Sequence, residues 1–164
     1  MSHHQASGIV VSDLMELEEN WIDYNGHLNM AFYNVLFDRG CDLAFEMLGM
    51  GPDYAQSHQR TIYTAEAHVR YLREIHLGDR VQATFQIIDH DEKRLHVFQE
   101  LLHEDGWVSA TSETLALHID MTGPKVAPFA SDVAAKIAEM VANQNGAPVP
   151  DGAGRKIEIR RKPA

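Results

Sequence analysis

Residues 21–33 read Trp-Ile-Asp-Tyr-Asn-Gly-His-Leu-Asn-Met-Ala-Phe-Tyr and gather the chain's most chemically suggestive side chains into one short stretch. A carboxylate such as Asp23 can attack a carbonyl carbon or take a proton from water. Asn29 is of the residue type that caps a helix, and the first free backbone N–H groups beyond it, those of Met30 and Ala31, would stabilise negative charge developing on a nearby carbonyl oxygen. Asp23 could equally cap a turn or the helix, as Asp often does in this setting. Gly26 lets the backbone take positive φ or approach a ligand closely, and the Asn25-Gly26 pair is also an ordinary turn signal. His27 has the residue type of a general acid or base, or it braces the loop. Trp21, Phe32 and Tyr33 line a pocket or pack into the core.

Other chemistries lack their residues. There is no GxSxG elbow, no GxxxxGK phosphate loop and no HExxH among the ten histidines, so neither a cofactor nor a catalytic metal is expected. His58, His68, His76, His90, His96, His103 and His118 are scattered without paired ligand spacing. The single Cys41 cannot close an internal disulfide and reads as a buried thiol. Glu46, within the helix, and Glu66, Glu100 and Glu113, on strands, are secondary carboxylate candidates.

These groups need a scaffold. Over residues 30–48, Phe32, Leu36, Gly40, Leu43 and Met47 recur at steps of three and four, which predicts a long helix with one apolar face and a close approach at Gly40. Residues 9–17 predict a first strand, and strict alternation through Tyr63, Ala65, Ala67, Val69 and Tyr71 a second. Further strands are expected over 81–87, 95–103 and 107–120, as an antiparallel meander. Val133, Ile137, Met140 and Val141 predict another helix over 131–143. The reading is α+β, a sheet of five or six strands wrapped around the long helix. The main domain covers residues 9–128, a C-terminal helix 129–145, and a flexible or docking basic tail 146–164.

The chain has 164 residues, 14 Lys and Arg against 24 Asp and Glu, and a net charge of −10. One domain fits that length, and the charge repels a nucleic-acid backbone. No export signal and no apolar run of about 20 residues is present, so neither export nor a membrane is expected, and a reducing cytoplasm suits the lone cysteine. One sheet covers only one side of the helix, which points to a homodimer or homotetramer.

With Asp23, Gly26, His27, Asn29 and Tyr33 in register, the stretch resembles the active-site segment of hotdog-fold acyl-CoA thioesterases of the 4-hydroxybenzoyl-CoA thioesterase class. Met30 stands where the commonest form has a second Asn, and Trp21 where many relatives carry an acid. The likeness runs over about residues 10–128, and the Trp-Ile-Asp-Tyr-Asn-Gly-His run is similar to thioesterases acting on betainyl-CoA. It implies hydrolysis of a small or medium acyl-CoA to free acid and CoA, with Asp23 as nucleophile or base and the Met30 amide polarising the carbonyl. Gly26, His27, Asn29, Phe32 and Tyr33 would surround the substrate. Arg70, Lys93 and Arg94 are candidates for the CoA phosphates, with Arg73 and the tail around Arg155 as further ones. Two alternatives on the same fold stay open. One is a hydratase, whose relatives usually carry an Asp-x-Asn-Pro-x-His pattern absent here, and the other a non-catalytic acyl-CoA-binding or regulatory module.

Overall fold

The computed structural model describes residues 8–159 and Arg161; the His3-His4 pair, Arg160 and Lys162 lie outside the described residues. The single first strand expected over residues 9–17 is two short pieces, β1 (Val10–Val11) and β2 (Met15–Glu16), both pairing with the same later strand. Between them the chain turns inward, where Ser12 Oγ accepts the Ala83 N–H at 2.9 Å. Helix α1 (Tyr33–Met47) follows a 3₁₀ turn over Met30–Phe32, and a short helix α2 (Pro52–His58), which carries no strong sequence signal, comes next. The long strands are β3 (Arg60–Tyr71), β4 (Arg80–His90), β5 (Arg94–His103) and β6 (Val108–Asp120). A two-residue β7 (Lys125–Val126) and helix α3 (Ser131–Asn143) complete the elements.

The sheet has seven strands in the order β1-β4-β5-β6-β3, with β2 on β4 and β7 on β6, and all pairings are antiparallel. The count exceeds five or six only through two-residue pieces. The meander holds for β4, β5 and β6, but β3 joins β6 rather than its successor β4. The connection between β3 and β4 is not a tight hairpin. Leu72 and Arg73 donate N–H groups to Ser109 O, and Ile75 then dives into the core, fully buried, before the turn at Asp79. That path carries the chain to the far side of the sheet.

Helix α1 packs against one face of this sheet, chiefly on β4 and β5. Its buried side is Tyr33, Leu36, Phe37, Gly40 and Ala44, continued by Leu48, whereas Leu43 and Met47 of the expected stripe are exposed. Four-residue steps from Gly40 reach Ala44 and Leu48, so beyond Gly40 the buried line runs one residue away from Leu43 and Met47. Gly40 sits against β4: a Cβ there would meet Ala83 Cβ at 2.6 Å and Gln99 Nε2 at 3.1 Å. Two apolar clusters fill the interior. One, around Trp21, Leu28, Tyr33, Leu36, Ile75 and Leu101, lies under the motif loop; the other, around Leu48, Phe85, Leu95 and Ile137, lies beneath α3.

After α3, Gln144 pairs with the backbone of β4, accepting from Ile87 N–H at 2.8 Å and donating to Ile87 O at 2.9 Å. The segment beyond is held to the sheet by Gln86 Nε2 donating to Pro148 O at 3.1 Å and by Gly154 N–H donating to Glu113 at 2.9 Å.

Candidate active site

The loop bearing Asp23 is closed by its own backbone. Ile22 and Leu28 form an antiparallel bridge, Asn29 N–H donates to Trp21 O at 2.9 Å, and Asp23 N–H to His27 O at 2.9 Å. Gly26 turns the tip at φ +82°, the left-handed region that favours glycine. Trp21 and Leu28 are buried and anchor the loop, while Tyr24 at its tip is 98% exposed. Asp23 is half-buried. Its Oδ1 accepts Asn25 N–H at 2.8 Å and His27 N–H at 3.4 Å, and Oδ2 takes no hydrogen bond among the described residues. The carboxylate is thus oriented through one oxygen and free at the other.

The loop leads directly into the helix start. Asn29 is the cap, in extended conformation, with Oδ1 accepting Ala31 N–H at 3.0 Å and its carbonyl accepting Phe32 N–H at 3.0 Å. The Ala31 amide is therefore taken by the cap. The Met30 amide makes no hydrogen bond among the described residues, and it is the donor left open at this terminus. Tyr71, at the end of β3, donates its hydroxyl to Met30 O at 3.1 Å.

Beside this helix start is a cavity of about 410 Å³ lined by Tyr33, Tyr71, Leu72, Arg73 and Glu74. The Tyr33 and Tyr71 rings meet edge to face at 5.0 Å. Burial raises both hydroxyl pKa values above the usual tyrosine range, against the pull of Ser109 on Tyr33, so both remain O–H groups at neutral pH. Glu74 ties the cavity to the motif loop, with Oε2 at 3.5 Å from His27 Nε2. His27 faces Glu74 and His76. Trp21 and Phe32 stack on each other at 5.6 Å and Arg39 lies 5.0 Å over the Trp21 ring, so they pack together and do not line this cavity.

Of the CoA candidates, Arg94 and Arg155 share one groove, while Lys93, Arg70 and Arg73 are not among its lining residues. Arg94 is engaged by Asp91 through Nε at 2.7 Å, and that contact with neighbouring backbone N–H groups pulls the Asp91 carboxyl down to about 2. Arg94, Arg155 and Lys156 line a groove of about 880 Å³ on the outer sheet face, together with Glu66, His68, His96 and Glu113. Lys93 lies 3.6 Å from Glu92, and the Arg70 guanidinium rests against Gly152 of the tail. Arg73 stacks on Trp107 at 3.9 Å. Of the other acids, Glu46 is exposed on α1 and Glu113 contacts His96 at 2.7 Å. Burial lifts the Cys41 thiol to about 12, which leaves it inert.

Tyr71 and Glu74 border the helix start yet escaped notice in the sequence. Tyr71 read as one more alternating strand residue, and Glu74 carries no spacing signal because the contact joins segments far apart in the chain.

A long helix packed on an antiparallel sheet is the architecture of the hotdog fold, to which thioester hydrolases belong. The chain matches the Thioesterase-like superfamily over residues 18–137 and belongs to that family. It is 36% identical to a betainyl-CoA thioesterase of Pseudomonas aeruginosa over 140 residues, covering 85% of this chain and 88% of that one. Among solved structures, it resembles a Staphylococcus aureus protein characterised in complex with CoA, with a TM-score of 0.87 at 30% identity over 93% of this chain and 96% of that one. The DHNA-CoA thioesterase of Staphylococcus aureus shares the fold, with a TM-score of 0.76 at 15% identity over 87% and 97% of the two chains.

Proposed function

We propose that this thioesterase hydrolyses a small acyl-CoA, betainyl-CoA foremost, to the free acid and CoA, using the Asp23 carboxylate and the Met30 backbone N–H. The observation that carries this reading is that one backbone-closed loop and helix start carries both an Asp23 Oδ2 and a Met30 amide that make no hydrogen bond among the described residues. The amide would hold the carbonyl oxygen as negative charge grows on it, and the fixed donor needs no reorganisation in the transition state. Asp23 either attacks the carbonyl carbon, giving an anhydride that water opens, or takes a proton from the attacking water; in both routes CoA leaves as the thiol. Gly26, His27 and Asn29 hold the loop, and Tyr33 borders the acyl group with Tyr71.

A betainyl group carries a trimethylammonium head. The Tyr33 and Tyr71 rings at the cavity's edge offer that head aromatic faces. The similarity to a betainyl-CoA thioesterase supports the same reading. An oligomer would cover β3, a twelve-residue edge strand whose outer side has no strand partner among the described residues and which exposes Tyr63 and Tyr71. Thiol release measured over betainyl-, fatty-acyl- and aromatic acyl-CoA esters tests the proposal. The highest kcat/KM is expected for betainyl-CoA, and equal or lower values than for uncharged esters of similar size would remove the cation-recognition part.

A further inference from the structure

The motif loop and the β3–β4 connection bring two imidazoles and a carboxylate to one point. Ile75 is fully buried in an extended stretch, so its neighbours Glu74 and His76 turn outward on a common side. Leu28 N–H donates to Ile75 O at 2.9 Å, which fixes the motif loop against this stretch and sets His27 beside both residues. His27 Nε2 is 3.5 Å from Glu74 Oε2, the His27 and His76 rings meet edge to face at 5.0 Å, and one ligand atom from each of the three lies within 4.8 Å of the others.

We propose that His27, Glu74 and His76 form a binding site for a divalent transition-metal ion of the zinc class, which clamps the motif loop to the β3–β4 connection. Neutral imidazole nitrogens with one carboxylate oxygen are the donor set of borderline ions such as Zn²⁺ and Co²⁺, whereas Mg²⁺ and Ca²⁺ require mostly oxygen. A tetrahedral ion at ~2.0–2.2 Å from its ligands places them about 3.3 Å apart. The His27–Glu74 pair is already near that spacing, and the exposed side chains of Glu74 and His76 can close the remainder by rotation. Asp79 fixes the backbone of this stretch, its Oδ2 accepting the backbone N–H of His76 at 2.8 Å and lying 3.7 Å from His76 Nδ1. Water takes the fourth position. Asp23 is not a ligand, and the site stands beside the reacting groups as a clamp on the loop that holds them.

The site owes nothing to the thioesterase reading, and binding is read without any thioester. Because His3 and His4 offer a rival pair of imidazoles, the test uses the full chain carrying His3→Asn and His4→Asn. Calorimetric titration with ZnCl₂ and absorption spectroscopy with CoCl₂ are expected to show one ion per chain, visible Co²⁺ bands of a low-coordinate site and a raised Tm. His76→Gln and Glu74→Gln should each weaken Zn²⁺ binding about tenfold or more while the metal-free Tm stays within a few degrees. No binding in the parent chain, or the same affinity in both variants, overturns the proposal.

Discussion

Asp23 is held by its own loop through Oδ1, so its position is fixed before any substrate arrives, while Oδ2 stays available. The partner group is a backbone amide, which side-chain truncation cannot remove, but proline can. Met30 is the first residue of the helical turn, where the missing N–H costs least, and Asn29 has φ −61° and ψ 138°, which a following proline accepts. Met30→Pro is therefore expected to fold with near-native Tm and to lose about 10²–10³ in kcat, the usual cost of one oxyanion donor. Stopped-assay thiol release with a melting curve checks both. The residues around this centre were legible in unequal measure. Asp23, Gly26 and Asn29 stand within a few positions of one another, where local spacing encodes turn and cap. Tyr71 and Glu74 reach the helix start only through β3 pairing with β6 and the route of residues 72–79, which no local pattern states.

At the level of elements, α1 meets β4 at close range through Gly40. A Cβ at 2.6 Å from Ala83 Cβ has to push helix and strand apart, and Gly40→Ala should destabilise by about 1–3 kcal/mol despite alanine's better helix propensity. Urea unfolding measures it. Where β6 meets α2 and β7, His118 is buried with Nδ1 donating to Ala127 O at 2.7 Å, so Nε2 accepts the Tyr54 hydroxyl at 2.9 Å. Burial lowers its pKa below the ordinary 6.5. Since the unfolded chain then binds the proton more readily, this contribution is complete above about pH 6.5 and is lost as pH falls through the folded value, with a slope of at most about 1.4 kcal/mol per pH unit. His118→Gln should flatten the acid side of a Tm-versus-pH curve. Gly40 and helix α3 announced themselves through helical periodicity, and β4 to β6 through alternation. The short helix α2 did not, since seven residues over Pro52–His58 bury only Tyr54. The order of β3 in the sheet was equally hidden, because alternation specifies a strand's faces and not its neighbour.

For the whole molecule, the long free edge at β3 and the exposed Leu43 and Met47 on the flank of α1 leave apolar surface that a second copy would cover. Light scattering on the eluting protein should give a multiple of 18.4 kDa, and Tyr63→Lys, which places a charge on the 52% exposed edge position, should shift it toward a single chain and lower thiol release in parallel. The net charge of −10 adds a general repulsion toward CoA, so the binding constant should weaken less with salt than it would for a basic enzyme. The proposed reaction centres on one carboxylate. The most direct measurement is CoA release by Asp23→Asn, which keeps the Oδ1 acceptor and the loop but removes the charge. The account predicts a fall in kcat of about 10²–10⁴ with unchanged Tm and CoA affinity, and turnover within a fewfold of the parent chain would contradict it.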